Sequence, residues 1–207
     1  PLPEVSRIGV KGDRYIAYST ACTDAYQWCF ATDFRDVFFQ ADPFANLPSG
    51  YDLILSEEFS QVKIGTCPYN REWIQTCWGD SFLQKVANKS PLCSGTIMAT
   101  PKGLRVLKDA MLSEMEKTQN VKGCTARDQG HVNYLHFSGS LNAKVLVQPR
   151  GKGIVNTVGY ITPRSNISAF MNERGLVKED NGATSAVVHQ HDRFPELLQL
   201  VKRLART

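Results

Sequence analysis

The chain has 207 residues, of which 42% are hydrophobic and 21% charged, which suits one globular domain with a substantial core. Its net charge of +4 comes from Lys and Arg residues that are scattered along the chain, so the sequence does not indicate a nucleic-acid-binding surface. No apolar stretch reaches the roughly 18 residues that a membrane span requires. Because the chain begins with Pro1 and not with Met, we expect it to be a processed piece of a longer protein.

Predicted strands and helices alternate along the chain. Short apolar runs predict strands at residues 15–18, 28–32, 53–55, 96–99, 144–147, 154–158 and 186–189. Helices are predicted after the capping pair Thr100-Pro101, over residues 81–87, and from Pro195 towards the C-terminus. Loops are predicted at residues 46–51 and 172–184. The alternation predicts one α/β domain over residues 1–207, with a mixed, mainly parallel sheet flanked by helices.

The segment TDFRDVFFQADPF, residues 32–44, places two carboxylates where a buried strand should end. Asp33 and Asp36 follow a predicted strand, and a buried charge is costly unless it is paired or binds a cation. Two interpretations stay open at this point. The carboxylates form an ion cluster with Arg35 or Arg71, or they hold a metal ion.

Three other segments carry groups that suit the same site. The segment AVVHQHDRF ends a predicted strand with His189 and His191, and alternation along a strand sends both to one face, so either histidine could face the site. Ligands of α/β sheets bind beyond the carboxyl ends of the strands, where carboxylates and a histidine would meet. Such a ligand set suits Mn²⁺ or Mg²⁺.

The remaining two segments are CSGTIMAT and RDQGHVNYL. Ser94 and Gly95 are small enough to let a ligand approach the backbone. Asp128 and Gln129 are either contacts for a ligand or an ordinary helix start.

The order of these segments resembles that of GT-A-fold, nucleotide-sugar-dependent glycosyltransferases. The chain is most similar to eukaryotic and viral proteins with a TDxRDVxFQxDPF block and a VHQxDR block, and more distantly to the glycogenin-like transferases. The resemblance covers residues 14 to 204. It implies transfer of a sugar from a nucleotide-sugar donor to a glycan or protein acceptor, with retention of configuration by analogy with the glycogenin-like enzymes.

The resemblance also implies roles for individual residues. It implies metal ligation by Asp33, Asp36 and His189, donor binding by Arg35, Ser94, Gly95 and Arg193, and catalytic contact with the donor sugar by Asp128 and Gln129. The chain departs from the family pattern in two ways. Arg35 stands where the second carboxylate of a DxD motif would be, and only 32 residues precede Asp33, which predicts a shortened N-terminal nucleotide-binding half.

Two further function classes compete with the transferase. One is a catalytically silent relative with a structural or carbohydrate-binding role in a lumenal or extracellular assembly. The other is an unrelated α/β hydrolase or nuclease, which would need another carboxylate near Asp33 and Asp36.

Six cysteines and two sequons bear on the cellular compartment. The cysteines form no CxxC zinc pattern, and they are either a disulfide framework or six buried thiols. We predict bridges Cys67–Cys77 and Cys93–Cys124, with Cys22–Cys29 as a third. The sequons at Asn88 and Asn166 predict glycosylation. Together these features favour the secretory pathway, such as the Golgi lumen, or the extracellular space.

Two acidic residues and two histidines have less specific interpretations. Glu57 and Glu58 follow a predicted strand and are either a general base with its neighbour or a solvated strand end. His131 and His136 are predicted to be structural.

Overall fold

The computed structural model describes residues 9–161 and 164–204. Its strands are β1 (Cys29–Thr32), β2 (Val37–Phe39), β3 (Leu53–Glu57), β4 (Leu92–Ala99), β5 (Val145–Gln148), β6 (Val155–Thr157) and β7 (Val187–His189). Its α-helices are α1 (Val10–Ala21), α2 (Pro68–Val86), α3 (Pro101–Thr118), α4 (Asp128–Phe137) and α5 (Pro195–Leu204). Short 3₁₀ helices cover Arg164–Phe170 and His191–Arg193.

The strands form two mixed sheets with helices packed against them. One sheet has the order β1-β4-β3-β5 and the other the order β2-β7-β6. The pairs β1–β4, β3–β4 and β2–β7 are antiparallel, and only β3–β5 and β6–β7 are parallel. The predicted α/β class with a mixed sheet is confirmed, but the prediction of a mainly parallel sheet is wrong. Periodicity identifies strands, whereas strand direction depends on where each connection returns the chain.

Two predicted elements differ from the structure for local reasons. Residues 15–18, predicted as a strand, lie inside helix α1, where Tyr15 is buried in the core beside α3. A four-residue apolar run cannot distinguish a strand from one buried face of a helix. The predicted helix at 81–87 is the end of the longer α2, which is interrupted at Gly79, where the backbone has a φ of 77°.

Helix α3 forms as the sequence predicts. The Thr100 hydroxyl accepts a hydrogen bond of 3.0 Å from the Gly103 N–H and so caps the first turn, and Pro101 occupies the first helical position. The predicted apolar stripe is fully buried, and its members are Leu104, Leu107, Met111 and Met115. This stripe packs in the main core with residues of β3 and β4.

The segment between β1 and β2 crosses from the first sheet to the second. At its start, the Asp33 N–H donates a hydrogen bond of 2.7 Å to the Gly95 carbonyl in β4. At its end, Val37 pairs with His189 in the antiparallel β2–β7 ladder. Strand pairing therefore brings both ends of the TDFRD segment to β4 and β7 at the junction of the two sheets.

Candidate metal centre

The three predicted metal ligands lie together at this junction. Asp33, Asp36 and His189 each offer one ligand atom, and these atoms all lie within 4.8 Å of one another. His189 Nε2 is 3.7 Å from Asp36 Oδ2 and 3.9 Å from Asp33 Oδ2. Donor atoms at these separations can share one divalent cation at bond lengths of about 2.0–2.6 Å. Asp33 follows β1, which is an edge strand of the first sheet.

The environment of His189 suits a metal ligand. The residue is only 2% exposed, and its Nε2 atom has no hydrogen-bond partner among the described residues. Burial lowers the pKa of His189 more than Asp36 and Asp33 raise it, so the imidazole is neutral, which is the form that binds metals. Its other nitrogen, Nδ1, lies 3.4 Å from both Thr157 Oγ1 and Cys93 Sγ.

Gly95 keeps open the space between these ligands. A Cβ atom at this position would collide with Asp33 Oδ2 and would lie 3.1 Å from His189 Nε2. The residue beneath the ligand atoms must therefore be glycine for a cation to fit there. Ser94, its predicted companion, is buried in β4.

Arg14, which the sequence analysis did not single out, connects two predicted parts of the site. Its guanidinium forms ion pairs with Asp33 Oδ1 and, at 2.9 Å, with Asp128 Oδ2. Lys11 also contacts Asp128, at 3.1 Å. The relevant signal was the spacing of Lys11, Arg14 and Tyr18 along one helix, which the strand prediction for this segment concealed.

Of the two open interpretations, the ion cluster of the carboxylates with Arg35 or Arg71 does not form among the described residues. Arg35 pairs with Asp192 at 3.5 Å, and its side chain is 86% exposed. Within the described residues, neither Asp33 nor Asp36 forms an ion pair with Arg71, and Arg14 takes that role for Asp33. Arg35 therefore turns away from the ligand atoms, which removes the conflict between a guanidinium and a cation.

The end of β7 decides between the two candidate histidines. Gln190 has a φ of 63°, a left-handed conformation that ends the alternation of the strand. His189 consequently faces the carboxylates, while His191 packs edge to face on Phe38 with ring centroids 5.1 Å apart. Arg193 follows, donates to the Gly159 carbonyl at 3.3 Å, and lies close enough to His189 to lower the pKa of that imidazole.

The predicted pair Asp128 and Gln129 begins helix α4, so it is a helix start whose side chains also point towards the site region. Asp128 is linked to Asp33 through Arg14. Gln129 Nε2 donates to Glu58 Oε2 at 3.2 Å and to Asn70 Oδ1 at 3.1 Å.

Glu58 is not part of a solvated strand end. It is 2% exposed, and burial raises its pKa to about 7 despite hydrogen bonds from Gln129 and Tyr160. His131 is structural, as predicted, because its ring nitrogens are hydrogen-bonded to Thr118 Oγ1 at 3.0 Å and to the Arg127 carbonyl at 2.9 Å.

The disulfides are Cys22–Cys29, as predicted, and Cys77–Cys124. The predictions of Cys67–Cys77 and Cys93–Cys124 are wrong. Cys67 caps the start of α2 and Cys77 lies within that helix, so ten residues separate them by about 15 Å along the axis, too far for a bridge. Cys93 is a buried free thiol beside His189.

Asn88 and Asn166 are both exposed, so the predicted glycosylation sites are accessible and stay predictions. Within the described residues, none of the helices combines the length and hydrophobicity that crossing a bilayer demands.

Compared with known proteins, the chain matches no family model and no curated sequence. Its function must therefore be argued from the chemistry of the site.

Proposed function

We propose that this chain is a glycosyltransferase domain that holds Mn²⁺ or Mg²⁺ on Asp33, Asp36 and His189 and transfers a sugar from a nucleotide-sugar donor to a glycan or protein acceptor. The observation that carries the proposal is the unpartnered Nε2 atom of His189, buried and facing two carboxylates across a space that Gly95 leaves open. Seven buried side-chain atoms of the described residues lack a hydrogen-bond partner, and His189 Nε2 is the one that lies among carboxylates able to share a metal ion. A cation at this position supplies that partner.

The charges around the site suit a diphosphate leaving group. A divalent ion held on two carboxylates and a histidine would neutralise the negative charge that develops as a sugar–phosphate bond breaks. Arg193 supplies positive charge near His189, and Arg35, which is largely exposed, would exchange its ion pair with Asp192 for a donor phosphate. Asp128 and Gln129 are the proposed sugar contacts.

A specific observation favours the catalytically silent alternative as a second candidate. Arg14 already compensates the charge of Asp33 in this structure, so the cluster at Asp33 can be a structural ion pair. Arg14 contacts Oδ1, however, while Oδ2 faces His189, so one carboxylate serves both contacts without displacement. The two disulfides belong with an oxidising compartment, and we propose the secretory pathway or the extracellular space as its location.

Metal binding separates the two candidates. We expect Mn²⁺ to raise the melting temperature of the wild-type chain, and titration calorimetry to give a single site. Asp36→Asn should abolish both effects. Asp109→Asn is the matched control, because Asp109 is an exposed carboxylate that pairs with Lys108 away from the site. A wild-type chain that neither melts higher nor releases heat with Mn²⁺ would leave the silent role as the better assignment.

Sugar transfer needs a further measurement. Nucleotide-sugar hydrolysis with Mn²⁺ should be detectable for one member of a panel of UDP- and GDP-sugars, and Asp36→Asn should remove it. Mn²⁺ binding without hydrolysis or binding of any donor would favour the silent relative with a metal site retained.

A further inference from the structure

A ring of polar side chains lies next to the metal centre. Its members are Glu58 directly after β3, Cys67 and Asn70 at the start of α2, Gln129 at the start of α4, and Tyr160 in the loop after β6. Gln129 binds Glu58 and Asn70, Asn70 binds Cys67 at 3.3 Å, and Cys67 lies 3.4 Å from the Tyr160 hydroxyl. Tyr160 in turn lies close enough to Glu58 to lower the pKa of that carboxyl against the effect of burial, so four segments contribute to one polar network.

The ring determines which way the Gln129 amide points. A glutamine amide carries two N–H donors and one carbonyl acceptor. Both donors are used, one on Glu58 Oε2 and one on Asn70 Oδ1. Asn70 is itself oriented, because its Nδ2 donates to Cys67 Sγ and its oxygen must then face Gln129. While Glu58 is ionised, rotating the Gln129 amide by 180° would place its oxygen against two acceptors.

The carbonyl oxygen is the part of the Gln129 amide that has no hydrogen bond within the described residues. Gln129 is partly exposed, whereas Glu58 and Asn70 are buried, and within the described part of the chain no hydrogen bond to Gln129 Oε1 is made. We propose that Glu58 and Asn70 are positioning residues that make Gln129 present only a carbonyl oxygen, so that the ligand group recognised there is a hydroxyl that donates a hydrogen bond. This deepens the proposed function and rests on it, because a sugar offers such hydroxyls and a phosphate or a carboxylate does not.

Two further residues, Cys93 and Arg193, lie near both the ring and the metal centre. Cys93 contacts His189, and both Glu58 and Asp33 act electrostatically on its thiol. Arg193 lies close enough to influence both Glu58 and His189. The ring therefore lies beside the metal centre, on which the proposed function places the diphosphate of a donor.

The orientation can be tested in the protein alone. In ¹H–¹⁵N NMR spectra, the side-chain amide of Gln129, assigned with Gln129→Ala, should show two separated, slowly exchanging protons at pH 8. Both should titrate as Glu58 becomes protonated, because a protonated carboxyl loses acceptor strength and gains a donor. The groups facing Glu58 are Gln129, Tyr160 and Arg193, with the Cys93 thiol nearby. Glu58→Gln should abolish the titration, and Glu57→Gln is the matched control.

A rapidly exchanging, pH-independent Gln129 amide in a folded wild-type chain would overturn the proposal. This result is independent of metal, so failure of the proposed function and failure of this inference are distinguishable.

Removing the carbonyl oxygen of Gln129 tests the ligand group. In Gln129→Lys, residue 129 can still donate to Glu58 and Asn70 but presents only donors to a ligand. For the tightest binder among UDP-glucose, UDP-galactose, UDP-N-acetylglucosamine and GDP-mannose with Mn²⁺, we expect Gln129→Lys to weaken binding about tenfold, as loss of an oriented hydrogen bond does. Equal binding by wild type and Gln129→Lys, with intact melting curves, would contradict the proposal. If no donor in the panel binds, the NMR titration alone decides.

Discussion

The metal centre and the ring around Glu58 are neighbouring sites that both contain carboxylates. They differ in how completely their buried polar atoms are hydrogen-bonded. Asp33 keeps its side chain 38% exposed and faces a histidine nitrogen that has no partner among the described residues. Glu58 is buried, and each ring member that contacts it is hydrogen-bonded within the protein. The metal centre leaves a buried nitrogen facing two carboxylates, whereas the ring leaves open only the partly exposed Gln129 Oε1. The comparison indicates that an unsatisfied buried atom among carboxylates marks a binding site, while a hydrogen-bonded buried network holds neighbouring groups in place.

Removing the Cys77–Cys124 bridge should lower the free energy of unfolding more than the single substitutions at either site. It should affect the ring around Glu58 and not the metal centre. The bridge joins α2 to the segment before α4, and these elements supply Asn70 and Gln129. Closing a loop with a sequence separation of 47 contributes about 4 kcal/mol to the free energy of unfolding. Cys124→Ser should lower the free energy of unfolding in urea by about that much and leave the Mn²⁺ affinity unchanged.

Peptide mapping tests the pairing itself. Cys67→Ser should preserve both disulfides, and a bridge involving Cys67 in the wild type would contradict the pairing.

Replacing Glu58 should change how stability depends on pH. The folded-state pKa of Glu58 is about 7 and its ordinary value is 4.5, so the folded chain holds this proton more tightly than the unfolded chain. The contribution of Glu58 to stability is therefore fully present below pH 4.5 and is lost as pH rises through 7, by roughly 3 kcal/mol. Urea unfolding at pH 5 and pH 8 should show a smaller difference for Glu58→Gln than for wild type. An unchanged difference would mean that Glu58 is ionised throughout.

Filling the space above Gly95 should disable only the metal centre. The new methyl group in Gly95→Ala would collide with Asp33 Oδ2 beside His189 Nε2. We expect Mn²⁺ affinity to fall by about 100-fold, comparable to losing one ligand interaction of about 2.7 kcal/mol. Gly130→Ala is the control, since its Cβ would lie 3.3 Å from Trp73 and away from the ligands. Equal Mn²⁺ affinity in Gly95→Ala and wild type would mean that the cation lies elsewhere.

Removing the hydroxyl of Thr157 should have the smallest effect. Thr157 Oγ1 lies 3.4 Å from His189 Nδ1 and can accept its proton, which leaves the Nε2 lone pair for a cation. Thr157→Val keeps the side-chain shape, and calorimetry should show Mn²⁺ affinity about tenfold weaker. Thr157→Ser should restore it. No difference between the valine and serine variants would show that Cys93 alone orients the imidazole.

Local sequence patterns were sufficient for the features that depend on neighbouring residues. Thr100 and Pro101 predicted the start of α3, and the spacing of Leu104, Leu107 and Met111 predicted its buried face. A cap and a helical stripe form within a few residues of each other, so their physics is contained in a short segment. The grouping of Asp33 and Asp36 with a histidine of the VHQHDR segment was also expected, because groups at the ends of strands meet at one edge of a sheet, but the choice of His189 rested on the resemblance.

Features that depend on distant residues were not predictable in this way. Arg14 became the partner of Asp33 because the segment around Tyr15 folds as a helix against α3, and not as a strand. Glu58 is buried because α2, α4 and the loop containing Tyr160 close over the end of β3.

The sequence by itself therefore determined the mixed α/β class, the helix α3 and the two carboxylates of the candidate metal site. Only the tertiary structure decided the strand directions, the Cys77–Cys124 pairing and the choice of His189 over His191. Chain direction and cysteine distance depend on how helices return the chain across the molecule, and the left-handed backbone at Gln190 is imposed where β7 meets the 3₁₀ helix. Such contacts join residues far apart in sequence, and no local propensity encodes them.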